Sequence, residues 1–166
     1  MTAPEDSARA TIDFEDSKKK LLAFLSRKEN DVMVLSTSAG DVVTSRSVLV
    51  VHGGLTIYFF TWAHSRKCLQ IASNSRISLC KDKVSIEGIA RPIGPMLGAR
   101  AAKALALFRE KEPKAVAQWE GKPSMVIYKV RPVFACLDGY RKDNETCIEY
   151  IDFDRKVAYL ERWGYR

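Results

Sequence analysis

The sequence predicts a mainly β protein with inserted helices, folded as a small barrel or sandwich of largely antiparallel strands. Two observations carry this. From Val32 to Gly94, short apolar-rich runs are separated by turn signals at Ala39-Gly40-Asp41, Gly53-Gly54 and Asp82-Lys83, and tight turns of this kind join antiparallel neighbours. Segments with helical spacing flank and interrupt that stretch, which suits helices that cover a small barrel.

The elements follow in order. Met1 to Thr11 is polar, with Pro4, Glu5, Asp6 and Arg9, and residues 1–12 read as a flexible arm before one domain over 13–166. Asp16 to Asn30 predicts an amphipathic helix with Leu21, Leu22, Phe24 and Leu25 on its apolar side and Asp16 or Ser17 as cap. Strands are predicted over Val32–Ser36, Val42–Val51 and Leu55–Thr61. A short helix over Ser65–Ser73 interrupts the sheet, with Asn74 as its stop. Arg76–Lys81 and Val84–Gly94 are the next two strands. Met96–Lys111 is alanine-rich with Leu97, Ala101, Leu105 and Phe108 at helical spacing; Glu112-Pro113 breaks it, and Lys114–Trp119 is one more helical segment. Ser124–Leu137 is a β-rich stretch interrupted by Pro132. Short strands over Cys147–Phe153 and Val157–Leu160 complete the chain.

Composition narrows the function classes. A chain of 166 residues suits one domain with a sizeable core, and an apolar share of 46% excludes disorder for most of it. No apolar run approaches the length of a membrane span, and the N-terminus lacks the apolar middle of a signal peptide, so the expected setting is cytoplasmic, with no membrane partner. Cys68, Cys80, Cys136 and Cys147 show no C-x-x-C spacing and no histidine in zinc-ligand order; they read as reduced thiols, and no metal is expected. The net charge of +7 is dispersed. Its densest cluster, Lys18-Lys19-Lys20 beside Arg27-Lys28, reads as a solvated helix face, so no nucleic-acid partner is expected.

The informative stretch lies between Thr44 and Arg76. It carries Ser45-Arg46-Ser47-Val48 on a predicted strand, then Tyr58-Phe59-Phe60-Thr61 ending the next strand. His64-Ser65-Arg66-Lys67-Cys68-Leu69-Gln70-Ile71 then opens a helix. This spacing can bring three cations, two hydroxyls and a helix N-terminus around one small volume. Free N–H groups and the positive end of the helix dipole make such a volume suited to a phosphate group.

These pieces resemble the FMN-binding split-barrel superfamily, the pyridoxamine 5'-phosphate oxidase-like proteins. The resemblance runs from about Asp31 to Gly94, with a looser match to Val130. Ser65-Arg66-Lys67 with Gln70-Ile71 behind it is its most specific part, and Arg46 and Thr61 stand at the expected distance before it. The resemblance implies an FMN-binding split β-barrel, mainly β with helices, acting as a homodimer with FMN in a cleft between subunits. Arg46 is then expected to reach the phosphate or the ring edge. Backbone groups of Arg46, Ser47 and Val48 would meet the polar edge of the ring, and Phe60 and Thr61 would flank the ribityl chain and the ring. Ser65, Arg66 and Lys67 would bind the phosphate. The implied activity is two-electron redox on the flavin with a small-molecule substrate or electron donor, and no side chain is required as a nucleophile.

The sequence also departs from the oxidases that gave the family its name. Val51 stands where they carry a lysine, and no carboxy-terminal segment for seizing pyridoxal phosphate is recognisable; the context of Trp163 and Arg166 does not match it. Rival readings are a deazaflavin-dependent reductase, a haem-binding barrel with His52 or His64 as axial ligand, a non-catalytic flavin-storing or sensing protein, and a basic binding module. His52 reads as a turn residue, Glu87 as a solvent-side residue, and Trp119 and Trp163 as packing residues. Two histidines without Ser-His-Asp order give no hydrolytic triad.

Overall fold

A computed structural model describes residues 9–142 and 145–163. The elements are β1 (Ala10–Ile12), α1 (Phe14–Leu25), β2 (Val32–Ala39), β3 (Val42–Gly53), β4 (Thr56–Trp62), α2 (Arg66–Ser73), β5 (Arg76–Lys81), β6 (Val84–Pro95), α3 (Ala102–Lys111), α4 (Pro113–Trp119), β7 (Met125–Lys142), β8 (Glu145–Asp152) and β9 (Val157–Trp163). Residues 1–8 of the expected arm lie outside the described residues. Ala10–Ile12 is a strand, in register with Ala158–Leu160 of β9.

All strand pairings are antiparallel, in the order β1-β9-β8-β7-β4-β3-β2-β5-β6, and β6 also pairs with β7. That last pairing closes β7, β4, β3, β2, β5 and β6 into a barrel, and β8, β9 and β1 extend the sheet beyond it. The split-barrel expectation is met. The split itself is visible in the register. β3 follows β2 from Ala39↔Val42 to Val32↔Leu49, but pairs with β4 only from Gly53↔Thr56 to Val50↔Phe59. β4 then continues against β7 to Trp62↔Met125. Ser47–Leu49 and Phe60–Trp62 therefore diverge, leaving an opening in the barrel wall.

Alternation along the strands builds two cores. The inner one holds Leu35, Val48, Ile57, Phe59, Leu79, Ile86 and Val130, closed by Leu21 and Leu25 of α1 and Ile71 of α2. Phe59 and Tyr128 stack there with centroids 5.1 Å apart. The outer one sets Val51, Met125 and Ile127 against Met96, Leu105, Phe108 and Val116, so α3 and α4 cover the wall beside the opening. Fully burying one such large apolar side chain contributes about 1.5–3 kcal/mol.

Several boundaries differ from expectation for local reasons. α1 begins earlier because Asp13 is its cap, accepting from the Asp16 amide at 2.8 Å. It ends at Leu25, and the rest of the predicted helix becomes a 3-10 turn at Lys28–Asn30. Pro132 does not interrupt β7. It pairs with Gly88, while the next pair is Phe134↔Glu87, so a bulge at Val133 absorbs it. Gly88 is needed there: a Cβ would lie 2.6 Å from Val130 Cγ1 and 2.9 Å from the Arg131 carbonyl oxygen. Met96–Lys111 is helical only from Ala102, after a 3-10 turn at Ala99–Ala101.

Candidate functional site

The opening between β3 and β4 forms a cleft of about 250 Å³. Ser47, Val48 and Leu49 line one lip, Phe60, Thr61 and Trp62 the other, with Lys67, Ala115, Trp119 and Met125 completing it. Five of the expected binding residues therefore meet in one place: Ser47, Val48, Phe60, Thr61 and Lys67. Since β3 leaves β4 at Val50, Ser47–Leu49 have no β4 partner, and their backbone edge offers donors and acceptors at strand spacing. Phe60 is fixed from behind by Phe108 of α3, centroids 5.0 Å apart and nearly edge-on.

Arg46, Ser65 and Arg66 lie beside the cleft rather than in its lining. Ser65 has the extended backbone of a helix cap, φ −71° and ψ 151°, but its hydroxyl makes no capping hydrogen bond. It lies 3.4 Å from Thr61 Oγ1 and 3.2 Å from Cys68 Sγ instead. Lys67, half-buried in the first turn of α2, donates from Nζ to Thr61 Oγ1 at 2.8 Å. Arg66 is exposed.

Arg46 points inward at the barrel end under α2. Its Nη1 donates to Thr37 Oγ1 at 2.6 Å and to the Leu35 carbonyl at 3.4 Å. Its Nη2 donates to Thr44 Oγ1 and to Gln70 Oε1, the latter at 3.3 Å. Burial lowers the pKa of Arg46, and the nearby Arg66 lowers it further. Burial is also the main cause that lowers Lys67; Cys68 opposes it and Arg46 adds to it. Arg46 thus repels both Arg66 and Lys67 within one region. Among the described residues, none of the three has a carboxylate within ion-pair distance.

A larger cleft of about 390 Å³ lies between α1 and the β8–β9 turn. There Lys18 is paired with Glu15 and Arg131 with Asp154. Lys156 also lines that cleft and has no carboxylate within ion-pair distance among the described residues, so what marks the α2 region is that three such cations lie close together.

His52 sits in the β3–β4 hairpin, its Nδ1 3.0 Å from the Gly54 carbonyl oxygen and its Nε2 3.4 Å from Ser26 Oγ. Neither His52 nor His64 lines the cleft. No group of three or more potential metal ligands occurs among the described residues. Arg166 lies outside the described residues.

Sequence reading missed Leu49, Trp62, Ala115, Trp119 and Met125. Trp119 reaches the cleft from α4 and meets Trp62 edge-on, centroids 5.7 Å apart; nothing in the local sequence signals this. It also missed Thr37, Thr44 and Gln70. Thr44 was accessible in principle, because it stands two residues before Arg46 and strand alternation puts both on one face.

No protein-family model matches the chain, and no curated protein matches it. Solved structures do. A pyridoxamine 5'-phosphate oxidase-related, FMN-binding protein of Nostoc punctiforme aligns with a TM-score of 0.56 at 13% identity, covering 89% of this chain and 96% of that one. General stress protein 26 of Bacillus anthracis aligns with a TM-score of 0.56 at 20% identity, covering 72% and 91%. A haem storage protein of Vibrio cholerae aligns with a TM-score of 0.58 at 10% identity, covering 73% and 91%. At these identities the likeness is one of fold.

Proposed function

We propose that this chain, which has the split-barrel fold of the pyridoxamine 5'-phosphate oxidase-like proteins, is an FMN-dependent oxidoreductase acting on a small-molecule substrate or electron donor. The observation that carries this reading is the convergence of Arg46, Arg66 and Lys67, without a carboxylate partner among the described residues, next to a cleft lined by an unpaired strand edge. The cations fit a phosphate, and the Ser47–Leu49 edge fits a flat heterocycle with alternating donors and acceptors.

Bound FMN would supply two-electron redox chemistry. The chain's own residues bind and orient. Lys67, Ser65, Arg66 and the first-turn amides of α2 hold the phosphate, with Arg46 adding charge from behind. Backbone groups of Ser47 and Val48 hold the ring edge, while Phe60 and Thr61 flank the ring and the ribityl chain. Trp62 and Trp119 restrict water on the open side.

The same reading includes a homodimer with the flavin between subunits. It is supported by exposed apolar side chains on the elements that carry the site: Val32 and Val34 on β2, Val43 on β3, Trp62 on β4, and Leu69 on α2. A cytoplasmic setting is supported by four free cysteines. Among the described residues no helix is long and apolar enough to cross a membrane. A haem reading is disfavoured by the absence of both histidines from the cleft lining.

The test is reconstitution. After incubation with FMN and gel filtration, the protein should carry two flavin bands that bleach under anaerobic reduction by a nicotinamide. Colourless protein overturns the proposal, and a Soret band replaces it with haem.

A further inference from the structure

We infer that Gln70 is a positioning residue of the anion site. It holds Arg46 through a neutral oxygen, so that the arginine's charge stays uncompensated and acts on the bound anion. The inference rests on the anion-site part of the reading above.

Gln70 is buried, with 5% of its surface exposed, on the inner side of α2. Its Oε1 is the meeting point of three donors: Thr37 Oγ1 at 2.7 Å, Thr44 Oγ1 at 2.8 Å and Arg46 Nη2 at 3.3 Å. The direction of each bond follows from the arginine, which can only donate. Thr37 and Thr44 accept from its guanidinium and pass their own hydroxyl hydrogens to Gln70. The amide must therefore present oxygen, since its nitrogen would face the Nη2 donor.

The two Nη groups of Arg46 make four contacts, all to neutral oxygens: the Leu35 carbonyl, Thr37, Thr44 and Gln70. Arg46 is half-buried, and a charge withdrawn from water is ordinarily paired with a carboxylate. A glutamate in place of Gln70 would have the same shape and the same acceptor oxygen, and would form that pair. The glutamine fixes the guanidinium geometrically while leaving its charge unneutralised beside Arg66 and Lys67. A bound phosphate then meets a positive field from behind, without a direct bond to either Nη group.

The experiment uses Gln70→Glu and Gln70→Met, with inorganic phosphate against chloride at equal ionic strength as the first probe and FMN against riboflavin as the second. In the wild type, phosphate raises the thermal midpoint. In Gln70→Glu, the midpoint without ligand is kept but the phosphate response is lost. The preference for FMN over riboflavin falls by about tenfold or more, the scale of one charge-assisted interaction. In Gln70→Met, the unliganded midpoint falls, but the phosphate response and the FMN preference remain within about threefold of the wild type.

A wild-type midpoint indifferent to phosphate overturns the inference. So does a Gln70→Glu protein that responds like the wild type, or equal loss in both variants, which is what a purely structural role gives. If Gln70→Glu does not fold, Thr44→Asp places the same charge on the other side of the guanidinium and is read in the same way. If phosphate behaves as expected while FMN does not bind, the inference stands and the flavin proposal falls.

Discussion

Lys67 donates from Nζ to Thr61 Oγ1 at 2.8 Å, bridging the end of β4 and the first turn of α2. The strand and the helix thereby present one hydroxyl and one ammonium to the same cleft. The contact spends one of three ammonium hydrogens on Thr61 and leaves two for a ligand.

The first prediction concerns that ammonium. Lys67→Ala should weaken FMN binding by about 1.5–3 kcal/mol, the range for a hydrogen bond to a charged group, and Arg46→Ala, whose charge acts without a direct bond to the phosphate, should weaken it by a smaller amount. Riboflavin affinity should hardly move. Lys18→Ala, in the distant cleft where Lys18 is paired with Glu15, should change neither. Fluorescence titration of the three variants with both flavins decides it; equal effects from all three would mean that the charges act diffusely.

A pH dependence follows from the same residue. Burial, its main cause, lowers Lys67 from the ordinary 10.5, and a bound phosphate favours the charged form. Between the lowered and the liganded values, binding takes up a proton. FMN affinity should therefore fall, relative to riboflavin, as pH rises through the lowered Lys67 value. Unliganded stability should move the other way in that window, since there the unfolded chain binds more protons than the folded one. Titrations in a pH series, with riboflavin as control, check the sign.

Assembly should be coupled to the cofactor. Val34 is exposed on β2 between the buried Met33 and Leu35, and Val34→Asp should weaken the dimer and release flavin together. At about a hundredfold excess over its dissociation constant, FMN should add roughly 2.7 kcal/mol per site. Sedimentation with and without FMN tests this; a monomer binding FMN as tightly as the dimer would move the cofactor into one chain.

Oxidation of pyridoxine 5'-phosphate should be negligible beside flavin reduction by a nicotinamide. Val51, standing where the named oxidases carry lysine, is 2% exposed and packed in the outer core with α3. That position supplies no cation. Hydrogen peroxide formation from pyridoxine phosphate is the measurement, and efficient formation would refute the expectation.

A fifth prediction is structural. Gly88→Ala should destabilise the fold by about 1–3 kcal/mol, because its new methyl group meets backbone as well as the Val130 side chain. The urea midpoint should shift while flavin selectivity stays.

Much of this protein is written locally. Alternation from Val32 onward gave the strands, and the turns at Gly40, Gly54 and Asp82 gave their antiparallel order; all three positions have positive φ. The Ser65-Arg66-Lys67 helix start was legible because cap, dipole and charge lie within three consecutive residues. The sequence could not show that β3 leaves β4 after Val50, since that depends on how the closed barrel divides its wall between β2 and β7. Nor could it bring Trp119 to Trp62 across 57 positions, or place Gln70, Thr37 and Thr44 around Arg46. Those contacts join residues whose sequence neighbours say nothing of one another. Local sequence determined which groups exist and which way each strand faces. Packing of α2 and α4 onto the open barrel decided which groups meet, and the meeting leaves Arg46, Arg66 and Lys67 without a carboxylate among the described residues.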